Sequence, residues 1–172
     1  METFVRIVKR ISTLFGYVAA GMIALSVLVV CHMVFVRYVL NQNTIWQTDF
    51  VTYSLVAATF IGTPFVLMTR GHVNVDVLPL YSGPRLRMGL ALFASAVTLF
   101  FCVVMTWVTF VFWKEALDNK WVSDTMWRAR LWIPYSSMPI GLGVLTLQCL
   151  ADLISLVSGR EPPFGLGKGH AT

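Results

Sequence analysis

Four stretches of this chain, residues 15–36, 50–68, 88–113 and 131–157, are apolar over nearly their whole length. A helix needs about 20 residues to cross a hydrocarbon core of about 30 Å. Each stretch meets or approaches that length, and the third is long enough to tilt or to run beyond the bilayer. Inside a bilayer the backbone has no water to bond, so a spanning segment of this kind must be a helix. The expectation is an all-α integral membrane protein of four transmembrane helices, forming one membrane domain over residues 1–158. Composition agrees: 57% of the 172 residues are hydrophobic and only 12% charged. A soluble domain carries about 25% charged residues, so this chain has too little charge to cover a water-soluble globule.

The first stretch is preceded by an amphipathic segment. Phe4, Ile7, Val8, Ile11, Leu14 and Phe15 fall on one helical stripe, with Arg6, Lys9 and Arg10 opposite. That pattern predicts a short helix lying in the interface before the chain turns into the membrane. The stretch that follows is too long for a signal peptide and lacks a small-residue cleavage pattern, so it reads as an uncleaved span. Orientation follows from the basic residues. The N-terminus, the second loop and the tail carry eight Lys and Arg, against five in the first and third loops. The positive-inside rule then places both termini in the cytoplasm, with the cluster at the first helix as the dominant signal. The tail over 159–172, rich in Gly and Pro, reads as flexible and cytoplasmic.

The net charge of +5 belongs to these flanks. It meets anionic lipid head groups and forms no run dense enough for nucleic acid. The cysteines, Cys31, Cys102 and Cys149, lie inside apolar stretches with no CxxC pair, which makes disulfide and zinc readings poor and favours three packed or membrane-facing thiols. Phosphate-loop, zinc-protease and nucleophile-elbow motifs are absent as well. The span cores carry no Asp, Glu, Lys or Arg, whereas a self-sufficient transporter shows polar midplane residues. A haem-binding membrane anchor of a redox enzyme stays as an alternative, with His32 and His72 as its ligands. The two lie near opposite membrane faces, too far apart to share one iron.

Small residues recur at fourfold spacing, Gly16, Ala20 and Ala24 in the first span and Ser54, Ala58 and Gly62 in the second. Such faces let helix backbones approach, either within this bundle or against another subunit. In the first loop Thr44 and Gln47 fit a capping box opening the second helix. Arg37 and Asp49 bracket that loop on one membrane side and could pair. The third loop gathers Trp113, Trp121, Trp127 and Trp132, with Arg128 and Arg130 among them. It reads as an aromatic belt with a short interfacial helix, or as a docking surface for a partner outside the cytoplasm.

The combination resembles a known family, the small membrane subunit of tripartite ATP-independent periplasmic (TRAP) transporters, the DctQ family. The resemblance rests on Arg37-Tyr38 with Asn41, then Trp46 and Asp49, Gly62, and the segment Arg70-Gly71-His72-Val73-Asn74-Val75-Asp76. It ends on Ile133-Pro134-Tyr135 with Pro139 and Gly141, and covers about Ile11 to Val157. Asp49 departs from the pattern, since Glu is commoner there; the charge is kept and the reach shortened.

That resemblance implies a non-catalytic permease subunit of the bacterial inner membrane, in a sodium-coupled symport system that takes up an organic acid anion. The partners it implies are a large multi-spanning subunit holding the substrate and sodium sites and a periplasmic substrate-binding protein. This chain would need no cofactor of its own. Arg37, Asn41, Trp46, Asp49, Gly62, Pro134 and Pro139 become candidates for subunit contact or structure, as do Arg70, Gly71, His72 and Asp76. Trp121, Trp127, Arg128 and Arg130 become candidates for periplasmic docking.

Overall fold

The computed structural model describes residues 2–69 and 84–157. Five helices lie among them: α1 (Glu2–Tyr38), α2 (Gln47–Met68), α3 (Pro84–Asp118), the single turn α4 (Trp132–Tyr135) and α5 (Ser137–Val157). With α4 and α5 taken together, four helical segments are long and apolar enough to cross a membrane. The segment Arg70, Gly71, His72 and Asp76 and the tail lie outside the described residues.

The amphipathic N-terminal turns do not form a separate interfacial helix. They continue without a break into the first span, giving one helix of 37 residues. Such a helix is about 55 Å long at 1.5 Å per residue, well beyond the hydrocarbon core. Its apolar stripe is also divided. Val8 and Ser12 are buried against the bundle, while Ile7, Ile11 and Leu14 face outward.

The buried seam of α1 runs through Val8, Ser12, Ala19 and Ser26, with Phe15, Met22, Val29 and Met33 half-buried between them. These positions alternate steps of four and three, a period of 3.5 that keeps one face toward a neighbouring helix. The fourfold series Gly16, Ala20 and Ala24 drifts about 40° per step from a straight face. Accordingly Gly16 packs on the Phe65 ring, whereas Ala20 and Ala24 are exposed. In α2 the series holds better, for Ser54 and Ala58 are buried and Gly62 sits against the Ala19 methyl.

The helices pack as an open layer. α2 lies between α1 and α5, α1 also touches α5, and α3 packs along α5 on its other side. α2 and α5 meet backbone to backbone. A side chain placed on Gly141 would sit 2.3 Å from the Phe60 carbonyl oxygen, so one Cα hydrogen of Gly141 points straight at that oxygen. Pro64 explains why the oxygen is available. Lying inside α2 and fully buried, it has no N–H to return to residue 60, four positions earlier. Gly141 supplies a weak Cα–H donor where the helix has lost its own.

Helix ends match the sequence in part. The capping box does not form: α2 starts at Gln47, and Trp46 occupies the cap position in helical conformation with no side-chain cap bond. Gln47 is instead buried, and its amide oxygen has no hydrogen-bond partner among the described residues. Pro139 stands in the first turn of α5, where a missing N–H costs nothing.

These contacts predict that Gly141→Ala destabilises the bundle by about 1–3 kcal/mol through overpacking on backbone. Gly62→Leu should act in the same direction against Ala19. Gly21→Ala, whose new methyl meets nothing within 4 Å, should be neutral or stabilising by up to about 1 kcal/mol. Thermal unfolding in detergent separates the three; equal melting temperatures would remove the close-packing account.

Candidate functional site

The end of the bundle that carries the first and third loops holds most of the candidate residues. α1 closes there on Asn41, which adopts a left-handed φ of 50° and turns the chain so that the Gln42 N–H bonds the Val36 carbonyl at 3.2 Å. Asparagine tolerates that conformation better than most residues, which gives Asn41 a structural reason. Arg37 is exposed in the last turn of α1.

Asp49 does not pair with Arg37. Its carboxylate accepts a hydrogen bond from the Thr125 hydroxyl in the third loop. The Thr125 and Ser123 hydroxyls lie 3.0 Å apart, and the Tyr53 hydroxyl donates to Ser123 at 3.1 Å. Asp49 and Tyr53, one turn apart on α2, thus grip a single short piece of the third loop.

The third loop contains no interfacial helix. α3 runs on past Trp113 to Asp118 and ends in a Schellman cap: Lys120 has φ 50°, Trp121 N–H bonds Ala116 C=O at 3.1 Å and Lys120 N–H bonds Leu117 C=O at 3.2 Å. The chain then folds into a small hairpin. Val122 and Arg130 form an antiparallel bridge, flanked by bonds from Ser123 N–H to Ala129 C=O (2.9 Å) and from Leu131 N–H to Trp121 C=O (3.0 Å). Its turn closes through Arg128 N–H to Thr125 C=O at 3.0 Å, with Arg128 at φ 47°.

The tryptophans divide between two duties. Trp113 donates its indole N–H to the Trp132 carbonyl at 3.0 Å. Phe112 packs edge-on against Trp121 and tilted against Tyr135, with ring centroids 5.6 and 5.3 Å apart. These rings tie the end of α3 to α4, and Pro134 is half-buried in the same turn. Trp127, by contrast, is exposed at the hairpin tip beside Met126, which is 87% exposed. Arg128 and Arg130 are exposed too, and Val122, Ser123, Asp124, Thr125, Met126 and Arg128 line an open concavity. Trp46 is as exposed as Trp127 and packs edge-on to Phe50.

A second polar group at the opposite end was not anticipated. Gln148, fully buried on α5, accepts from the Ser12 hydroxyl and donates to the Asp152 carboxylate, both at 2.9 Å. It joins α1 to α5 and satisfies an amide that would be costly unpaired in an apolar bundle. A lone Gln inside an apolar run was the available signal. No group of three His, Cys, Asp or Glu among the described residues could hold a metal ion. His32 is exposed on α1, and nothing favours the haem-anchor alternative.

Four helices of spanning length with uncharged middles, two of them joined at one end by a hydrogen-bonded hairpin, define a multi-pass membrane protein. The profile of the DctQ component of tripartite ATP-independent periplasmic transporters matches residues 26–159, and the chain belongs to that family. The chain is 24% identical over 148 residues to the C4-dicarboxylate TRAP transporter small permease protein DctQ of Vibrio cholerae. The match takes in 74% of this chain and 64% of that relative's length. No solved structure matches it.

Two outcomes follow from the hairpin's bonds. Thr125→Val removes the hydroxyl that Asp49 accepts from, and amide exchange at Ser123 and Leu131 should quicken about fivefold, the equivalent of about 1 kcal/mol. Lys120→Gly relieves a left-handed lysine and should stabilise the protein by about 1 kcal/mol, read as a raised melting temperature.

Proposed function

We propose that this chain is the non-catalytic small permease subunit of a sodium-coupled TRAP uptake system for an organic acid anion. In this reading it braces a large transport subunit and helps receive a periplasmic substrate-binding protein. The observation that carries the proposal is the family match over residues 26–159. The uncharged middles of the spans support it, since they place no ionisable residue there to hold an ion or a carboxylate. Substrate and sodium sites then belong to the large subunit, and this chain needs no cofactor. The relative's name, which specifies C4-dicarboxylate transport, favours a small dicarboxylate as the transported anion.

The same reading puts the hairpin end in the periplasm and both termini in the cytoplasm, as the positive-inside count favours. Trp127, Arg128 and Arg130, with Met126, then offer an apolar tip flanked by two cations. An aromatic beside arginine is the usual make-up of an interface hot spot. Trp121 serves instead to hold the hairpin against α3 through Phe112. Arg37, Asn41, Trp46 and Asp49 shape this end, Asp49 by holding the hairpin in place. Arg70, Gly71, His72 and Asp76 are assigned to the cytoplasmic end.

Tagging the protein in native membranes and solubilising gently should recover a single large multi-spanning partner at fixed stoichiometry. The double variant Trp127→Ala, Arg128→Glu should leave that recovery unchanged while lowering uptake by roughly tenfold, the loss of one hot spot. A chain that purifies alone would overturn the accessory-subunit reading. Unchanged uptake in the double variant would overturn the docking role alone.

A further inference from the structure

The third and fourth spans meet through a pair of thiols. Cys102 on α3 and Cys149 on α5 bring their Sγ atoms to 3.9 Å, and their side chains are only 4% and 6% exposed. Leu145 completes this core, with Leu67, Leu99 and Leu142 packed around it. One turn along the same seam, the hydroxyls of Thr106 and Thr146 lie 3.0 Å apart. The two contacts together set the register of α3 on α5. Away from that seam α3 turns a row of large side chains outward, among them Phe93, Val97, Phe100 and Trp107. α5 is its main neighbour, and it makes no comparable contact with α1 or α2.

We propose that Cys102 and Cys149 form a redox latch. This dithiol closes to a disulfide, fixing α3 to α5, when a neutral two-electron oxidant of the quinone or azo class enters the bilayer. The reaction balances within that pair of partners. Two S–H bonds break and one S–S bond forms; the two hydrogens and two electrons pass to the oxidant, turning a quinone into its hydroquinone or an azo group into a hydrazine. Reactants and products are all neutral, so the overall step leaves no charge in the apolar core. A disulfide spans about 2.05 Å, so the sulfur atoms must close by about 1.9 Å from their present contact. The latch closes by rotation of the two side chains together with an approach of α3 toward α5. Because α3 rests chiefly on α5, a covalent bond at this point removes its freedom to lean away from the other spans.

The test uses the full chain in native membranes, carrying Cys31→Ser so that the exposed third cysteine cannot cross-link between molecules. Membranes are treated with diamide, an azo oxidant that crosses bilayers, then denatured, alkylated and digested for mass spectrometry. The expected product is one peptide pair joined through Cys102 and Cys149, lighter than the two thiol peptides by two hydrogens and separated by dithiothreitol. Both thiols should disappear together, and Cys102→Ser should leave Cys149 alkylatable. Recovery of both as free thiols, or cross-links only between molecules, overturns the proposal. Hydrogen exchange along α3 tests the latch without any variant: it should slow several-fold on oxidation and recover on reduction. An unchanged rate also overturns it. Neither readout depends on transport, so failure here leaves the accessory-subunit reading untouched.

Discussion

The bundle depends on one backbone-to-backbone contact, that of Gly141 on the Phe60 carbonyl. In a membrane the apolar side chains of two helices gain little by leaving lipid for each other, so association rests on close packing and on polar groups. Pro64 leaves the Phe60 carbonyl without its helical donor, and Gly141 is small enough to reach it. With α2 and α5 joined there, each carries a neighbour on its outer side. α1 docks on α2 through Gly16 and Ala19 and reaches α5 through Ser12, and α3 docks on α5 through Cys102 and Thr106. The result is an open layer in which two central helices hold two peripheral ones.

Polar groups then act at the ends, where they are needed for register. Gln148 links α1 to α5 at one end, and Asp49 and Tyr53 hold the third-loop hairpin at the other. Each group takes a partner from a distant part of the chain, which makes it specific to this arrangement of helices. The hairpin gains most from this. Its own bonds are few, and without Asp49 and the Phe112–Trp121 contact it would have little to set its direction. Its fixed direction is what lets Met126 and Trp127 stand clear of the bundle as a contact surface.

Several features were legible from residue order alone. Number, type and approximate place of the spans follow from apolar run length, because the bilayer makes that length a hard requirement. The packed series Ser54, Ala58 and Gly62 was readable for the same kind of reason, since small residues at helical spacing mark close approach. Asn41 and Pro139 stood out in the sequence, and local geometry explains both, one at a left-handed turn and the other in a first helical turn.

What residue order left open needed partners far along the chain. Gly16, Ala20 and Ala24 look alike in sequence, yet only Gly16 meets a ring, because a fourfold step rotates off the straight seam that α2 requires. Arg37 and Asp49 have opposite charges at a suitable spacing, but a hydroxyl 76 residues from Asp49 took its place. The capping box gave way because the helix starts at Gln47, which places Gln47 at the first helical position and not the third. The sequence by itself therefore determined the four spans and the family, since these depend on local composition and on the order of motifs. Only tertiary structure decided which faces are buried, what Asp49 and Gln148 hold, and that two of three cysteines meet, since each is set by the register of one helix against another.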